Sequence, residues 1–170
     1  MKKRILVLSM VLALVMALVA PTAALAAETG TVSGYLVSVT VTDGGVTYGT
    51  LALNTTQTTL ASGGGVNDMQ TATNDGTVTE NFNIKSTNAI RTDGTTWTLA
   101  ATKGNNQFTH QFSINAGSSW TAMTTDYAPL KAGVAATTGT QTFDLQIGMP
   151  TATTDYLQHS ITVTVLAVEH

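Results

Sequence analysis

Beyond residue 27 the chain alternates between apolar and polar positions with a period of two, the pattern of strands with one buried face. Residues 31–42 read as a first strand, with Tyr35, Val37, Val39 and Val41 on one face. Asp43-Gly44-Gly45 is a turn signal, and residues 46–54 are expected to return as its hairpin partner. Residues 55–76 lose their apolar content around Gly63-Gly64-Gly65 and read as the longest loop, with at most a poor edge strand. Alternation resumes over 77–85, with Val78, Phe82 and Ile84 inward. Glu80 shares their parity, at the strand mouth or turned outward by a bulge.

Further strands are expected over 95–101, with Trp97 and Leu99 on one face, and over 107–114, with Phe108, Phe112 and Ile114 inside and His110 between them. Asn115-Ala116-Gly117-Ser118 should close a hairpin onto 119–123. Residues 124–139, which contain Pro129, read as a crossing loop whose Leu130 plugs the core. Residues 140–148 place Phe143, Leu145 and Ile147 inward. The last strand, 159–168, aligns Ile161, Val163, Val165 and Ala167. Seven to nine such strands predict an all-β fold, an antiparallel β-sandwich with immunoglobulin-like or jelly-roll connections. A closed barrel is the alternative.

The first 27 residues have a different pattern. Lys2, Lys3 and Arg4 precede an apolar run over 5–20, and small residues follow at Ala24-Leu25-Ala26-Ala27. A basic start, an apolar middle and an A-x-A site are the marks of a secretory signal. Cleavage is expected after Ala26 or Ala27, which leaves 28–170 as one domain with a core of its own. An uncleaved anchor is the alternative, but the run falls short of the ~20 apolar residues of a spanning helix. The expected location is secreted or extracellular, with association to the cell wall.

Removing the signal leaves four basic residues, Lys85, Arg91, Lys103 and Lys131, against ten acidic ones. That acidic balance argues against nucleic acid and anionic lipid as partners, and no membrane contact is expected after cleavage. Polarity comes from threonine, asparagine, glycine, serine and glutamine, an uncharged surface suited to close association. The chain has no cysteine, so no disulfide framework or lipid-modified cysteine is available.

Candidate chemistry is sparse. His110, His159 and His170 do not cluster at metal-ligand spacing. Asp68 and Asp75 could supply oxygen ligands to a loop calcium, without an established calcium-loop spacing. Glu80 has no second carboxylate facing it for glycoside chemistry, and no Ser-His-Asp order stands out. The expectation is a non-enzyme with no cofactor and no metal. Exposed aromatics can stack on sugars or on copies of the chain, and Trp120, Tyr127 and Tyr156 are the candidate surface contacts. Trp97 has core parity. Asn54-Thr55-Thr56 matches a glycosylation pattern and is read as coincidence.

Thr96-Trp97-Thr98-Leu99 places Trp97 and Leu99 in a W-x-L tripeptide on a strand, and Ser160-Ile161-Thr162-Val163-Thr164-Val165-Leu166 forms an apolar final strand. In these stretches the chain resembles the WxL cell-surface proteins of Gram-positive bacteria, and more generally immunoglobulin-like surface modules. The resemblance covers about residues 77–168 and departs at the last strand, which has no tryptophan. It implies a secreted β-sandwich held non-covalently on the wall. The expected function is a cell-surface structural or wall-associated protein whose partner is a cell-wall polymer or copies of itself. The alternatives are a self-assembling filament or surface-layer subunit and a carbohydrate-binding module.

Overall fold

A computed structural model describes residues 34–170; the signal expected over 1–27 and the start of the expected first strand lie outside them. The described residues are all-β, with eleven strands rather than seven to nine. These are β1 (Val39–Thr42), β2 (Thr56–Thr58), β3 (Gln70–Asn74), β4 (Glu80–Ser86), β5 (Ala89–Ile90), β6 (Thr96–Leu99), β7 (Gln107–Ser113), β8 (Thr121–Ala122), β9 (Ala128–Val134), β10 (Thr140–Gly148) and β11 (Val163–Glu169). The larger sheet runs β1-β3-β10-β7-β6-β5, with β2 also on β10 and β8 on β7; the smaller is β11-β4-β9. All strand pairs are antiparallel except β6 and β7, where Leu99 stands beside Phe108 in a parallel register.

The two sheets share one core. The larger sheet contributes Ala72, Phe112, Phe143 and Leu145, and the smaller contributes Phe82, Ile84, Leu130, Val134 and Ala167. A second cluster gathers Ala89, Trp97, Phe108 and Ile147 toward one end. Burying a side chain of this size contributes about 1.5–3 kcal/mol, so the alternating strands are held mainly by their inward faces.

Four expectations are corrected. The partner of β1 is β3, with Val41 opposite Ala72, and residues 46–54 form no strand. Residues 55–76 are therefore not one loop. They carry β2 and the interior strand β3, whose inward positions Gln70, Ala72 and Asn74 hide it from an apolar-pattern reading. The 124–139 segment holds β9 rather than a crossing loop. Pro129 is tolerated because β9 is an edge strand, bonded only to β4. Ile114, expected inside, is 47% exposed, because β7 ends at Ser113 and the chain turns.

Glu80 stands at the mouth of β4, as its first residue, and is fully buried there rather than turned outward. The irregularity in the β4–β9 register falls beside it without rotating it away from the core. Its Oε1 accepts the Ser38 amide at 2.8 Å, which ties the run ahead of β1 to the smaller sheet. Asp43 (φ 71°) adopts left-handed backbone at the expected turn after β1, and Asn106 (φ 52°) does so just ahead of β7, a conformation short Asx side chains tolerate.

Candidate functional site

Residues 44–53 lie over one side of the core and roof a cleft of about 880 Å³. The floor is formed by inward residues of β6, β7 and β10, including Trp97, Phe108, His110 and Ile147. The mouth is formed by residues 153–161. Val46 and Tyr48 are half-buried at a spacing of two, Leu51 and Leu53 are half-buried in the opposite phase, and the segment pairs with no strand.

His110 sits on β7 between Phe108 and Phe112, so the strand period turns it inward. It is 2% exposed. Its Nδ1 is 2.8 Å from Ser86 Oγ and its Nε2 is 3.4 Å from Tyr48 Oη. In the neutral ring one nitrogen donates to a hydroxyl and the other accepts from one. Burial pushes the His110 pKa down to about 4, which keeps the ring neutral. Burial, and then the charge of Asp68, push the Tyr48 phenol well above its usual value. Ser86 is 0% exposed. A serine–histidine pair is therefore present, but its hydroxyl is sealed from any substrate, and the three side chains act as a hydrogen-bonded tie between roof, β4 and β7.

At the mouth, Asp155 Oδ1 accepts from Arg91 Nη1 at 2.8 Å, and Asp155 Oδ2 lies 3.3 Å from His159 Nε2. His159 Nδ1 donates to the Leu157 carbonyl at 2.9 Å. Burial pushes the Asp155 pKa up, but the Leu157 amide, the Arg91 guanidinium and His159 outweigh it and hold the carboxyl below its ordinary value. The His159 ring stacks on Trp97, with centroids 3.9 Å apart and planes at 20°. The indole Nε1 of Trp97 is buried without a hydrogen-bond partner.

The candidate residues read from sequence are split by the fold. Trp97, 7% exposed, and Tyr156, 74% exposed, both line the cleft. Leu99 is half-buried and packs on the same cluster as Trp97. Trp120 and Tyr127 stand apart from it. Trp120 is half-buried near Gly117, and Tyr127 is exposed with Lys85 Nζ 4.5 Å from its ring centroid. His170 bonds Asn81 Oδ1 at 2.8 Å. Among the described residues no group of three or more His, Asp or Glu side chains could hold a metal ion.

Tyr48, Ser86, Arg91 and Asp155 escaped the sequence reading. Ser86 and Tyr48 lie 24 and 62 residues from His110, and Arg91 lies 64 from Asp155. The one available signal was the alternation of His110 with two phenylalanines, which marked it as inward without naming its partners. Comparison of the chain with protein-family models, curated proteins and solved structures finds no match.

Proposed function

We propose that this chain is a secreted, non-enzymatic structural protein of the cell surface, a β-sandwich that works by associating with copies of itself. The observation that carries this reading is the run ahead of β1. Tyr35 is 77% exposed, and Leu36 and Val37 beside it are exposed as well. The Leu36 and Ser38 carbonyls accept the amides of Thr77 and Asp75, so the antiparallel alternation turns the backbone of Tyr35 and Val37 toward the open side. This edge carries neither charge nor proline, the usual devices that keep edges from pairing. The β9 edge, by contrast, carries Pro129 and Lys131.

Wall polymer is the alternative partner within the same structural role. The test is sedimentation of protein beginning at residue 28, alone over a wide concentration range and with isolated cell walls. Self-association that rises with concentration and is lost in Val37→Lys supports the reading. A strict monomer that pellets with walls moves the partner to the polymer. A strict monomer that stays in the supernatant overturns both.

A further inference from the structure

The cleft under residues 44–53 has the size of a small-molecule site, inside the ~300–1,000 Å³ range typical of these. Its walls carry a continuous apolar surface, with Phe108, Ile147 and Met149 below, Leu51 above and Ile161 and Val163 at the side, beside polar residues that include Thr47, Gln70 and Gln158. Two of the ionisable side chains among them face partners, while the Trp97 indole Nε1 has none. His110 faces Tyr48 and Ser86, and Asp155 faces Arg91 and His159. A hydroxyl could accept from the Trp97 indole, but a hydroxylated ligand lying along the Phe108, Ile147 and Ile161 side chains would lose water there without gaining partners. An aliphatic chain lying on those side chains buries apolar surface on both partners.

The roof is held by side-chain packing rather than by a hydrogen-bond ladder. Among the described residues no backbone hydrogen bond ties 43–51 to the rest of the protein, and Tyr48 makes its one side-chain bond. At the rim, Tyr156 and Leu157 expose apolar surface beside the opening. A smaller depression shares Leu157, Gln158 and Ser160 with the rim and contains Arg91. Arg91 is paired with both Asp93 and Asp155, so it offers no net positive charge to an anionic head.

We propose that this cleft binds a single-chain neutral amphiphile, its aliphatic chain between the roof and the β7–β10 floor and its uncharged polar head at the Leu157–Ser160 rim. This site is independent of the self-association edge, which lies on the run ahead of β1.

The test is isothermal titration of protein beginning at residue 28 with straight-chain primary alcohols of six to twelve carbons, and with the carboxylate of matching length. The expected result is one site per chain, with affinity rising roughly fourfold per methylene until the cleft is filled. The carboxylate should bind at least tenfold more weakly. Ile147→Trp fills the floor and should abolish binding. Leu51→Trp fills the cleft from the roof, away from the sheets, and should do the same if the floor variant does not fold. Absence of saturable binding, affinity indifferent to chain length, or unchanged binding in a folded filling variant would overturn the site. Equal binding of the carboxylate would overturn the neutral head.

Discussion

Ser86 Oγ and His110 Nδ1, 2.8 Å apart, join the smaller sheet to the larger one, since Ser86 ends β4 and His110 sits on β7. Each side chain is closed to solvent. The bond is a cross-sheet tie, and its buried setting depends on the imidazole staying neutral, because burial penalises the charged ring.

That dependence sets a pH response. The folded-state pKa of His110 is about 4, below the 6.5 of a free histidine. As pH falls below 6.5 the unfolded chain takes up a proton that the folded protein refuses until about pH 4. Stability contributed by the neutral ring is complete above pH 6.5 and is lost between 6.5 and 4. The loss is of order 3 kcal/mol. Urea titrations across this range should show a falling midpoint, and His110→Gln should flatten the fall over that window.

Thr59 ties β10 to the residues following β2. Its hydroxyl donates to Asp144 Oδ1 at 3.1 Å and accepts the Leu145 amide at 2.8 Å. Thr59→Val keeps the shape and removes both bonds, leaving a buried carboxylate oxygen and a buried amide short of partners. The expected cost is about 1–3 kcal/mol, read as a lower urea midpoint with an unchanged m-value.

Gly76 leaves room for the run ahead of β1. A Cβ there would collide with Glu80 Oε1 and the Leu36 carbonyl. Gly76→Ala should push 35–38 off the smaller sheet and break the Ser38–Glu80 bond, at a cost of about 1–3 kcal/mol. Hydrogen exchange should accelerate at Ser38, Asp75 and Thr77, whose amides bond across this contact, while the β7–β10 amides stay protected.

His159 covers one face of Trp97. His159→Ala removes a stacking contact of about 1 kcal/mol and admits water to the indole. Tryptophan emission should shift to the red, and the shift should be absent in Trp97→Phe/His159→Ala, where only Trp120 reports.

The strands whose inward faces are bulky and apolar were legible in the sequence: β4, β6, β7, β10 and most of β11. The period of two is a local property, and Phe82, Phe108, Phe143 or Val165 states it within a few residues. β3 was illegible because Gln70, Ala72 and Asn74 fill its inward positions: Gln70 bonds Asp68, and Asn74 bonds the Val78 and Val134 carbonyls. Residues 46–53 misled for the opposite reason. Val46 and Tyr48 alternate as a strand would, but Leu51 and Leu53 fall out of phase with them, and β1 pairs with β3 instead.

The sequence by itself determined the all-β class, the inward faces of the longer strands and the uncharged surface, because side-chain alternation and composition need no knowledge of distant neighbours. The tertiary structure decided which strands pair, that β6 and β7 run parallel, that Ser86 meets His110, and that Trp97 and Tyr156 share a cleft while Trp120 and Tyr127 do not. These depend on contacts between residues tens of positions apart. Such contacts are chosen by the free energy of the whole packed core, which no local window of the chain contains.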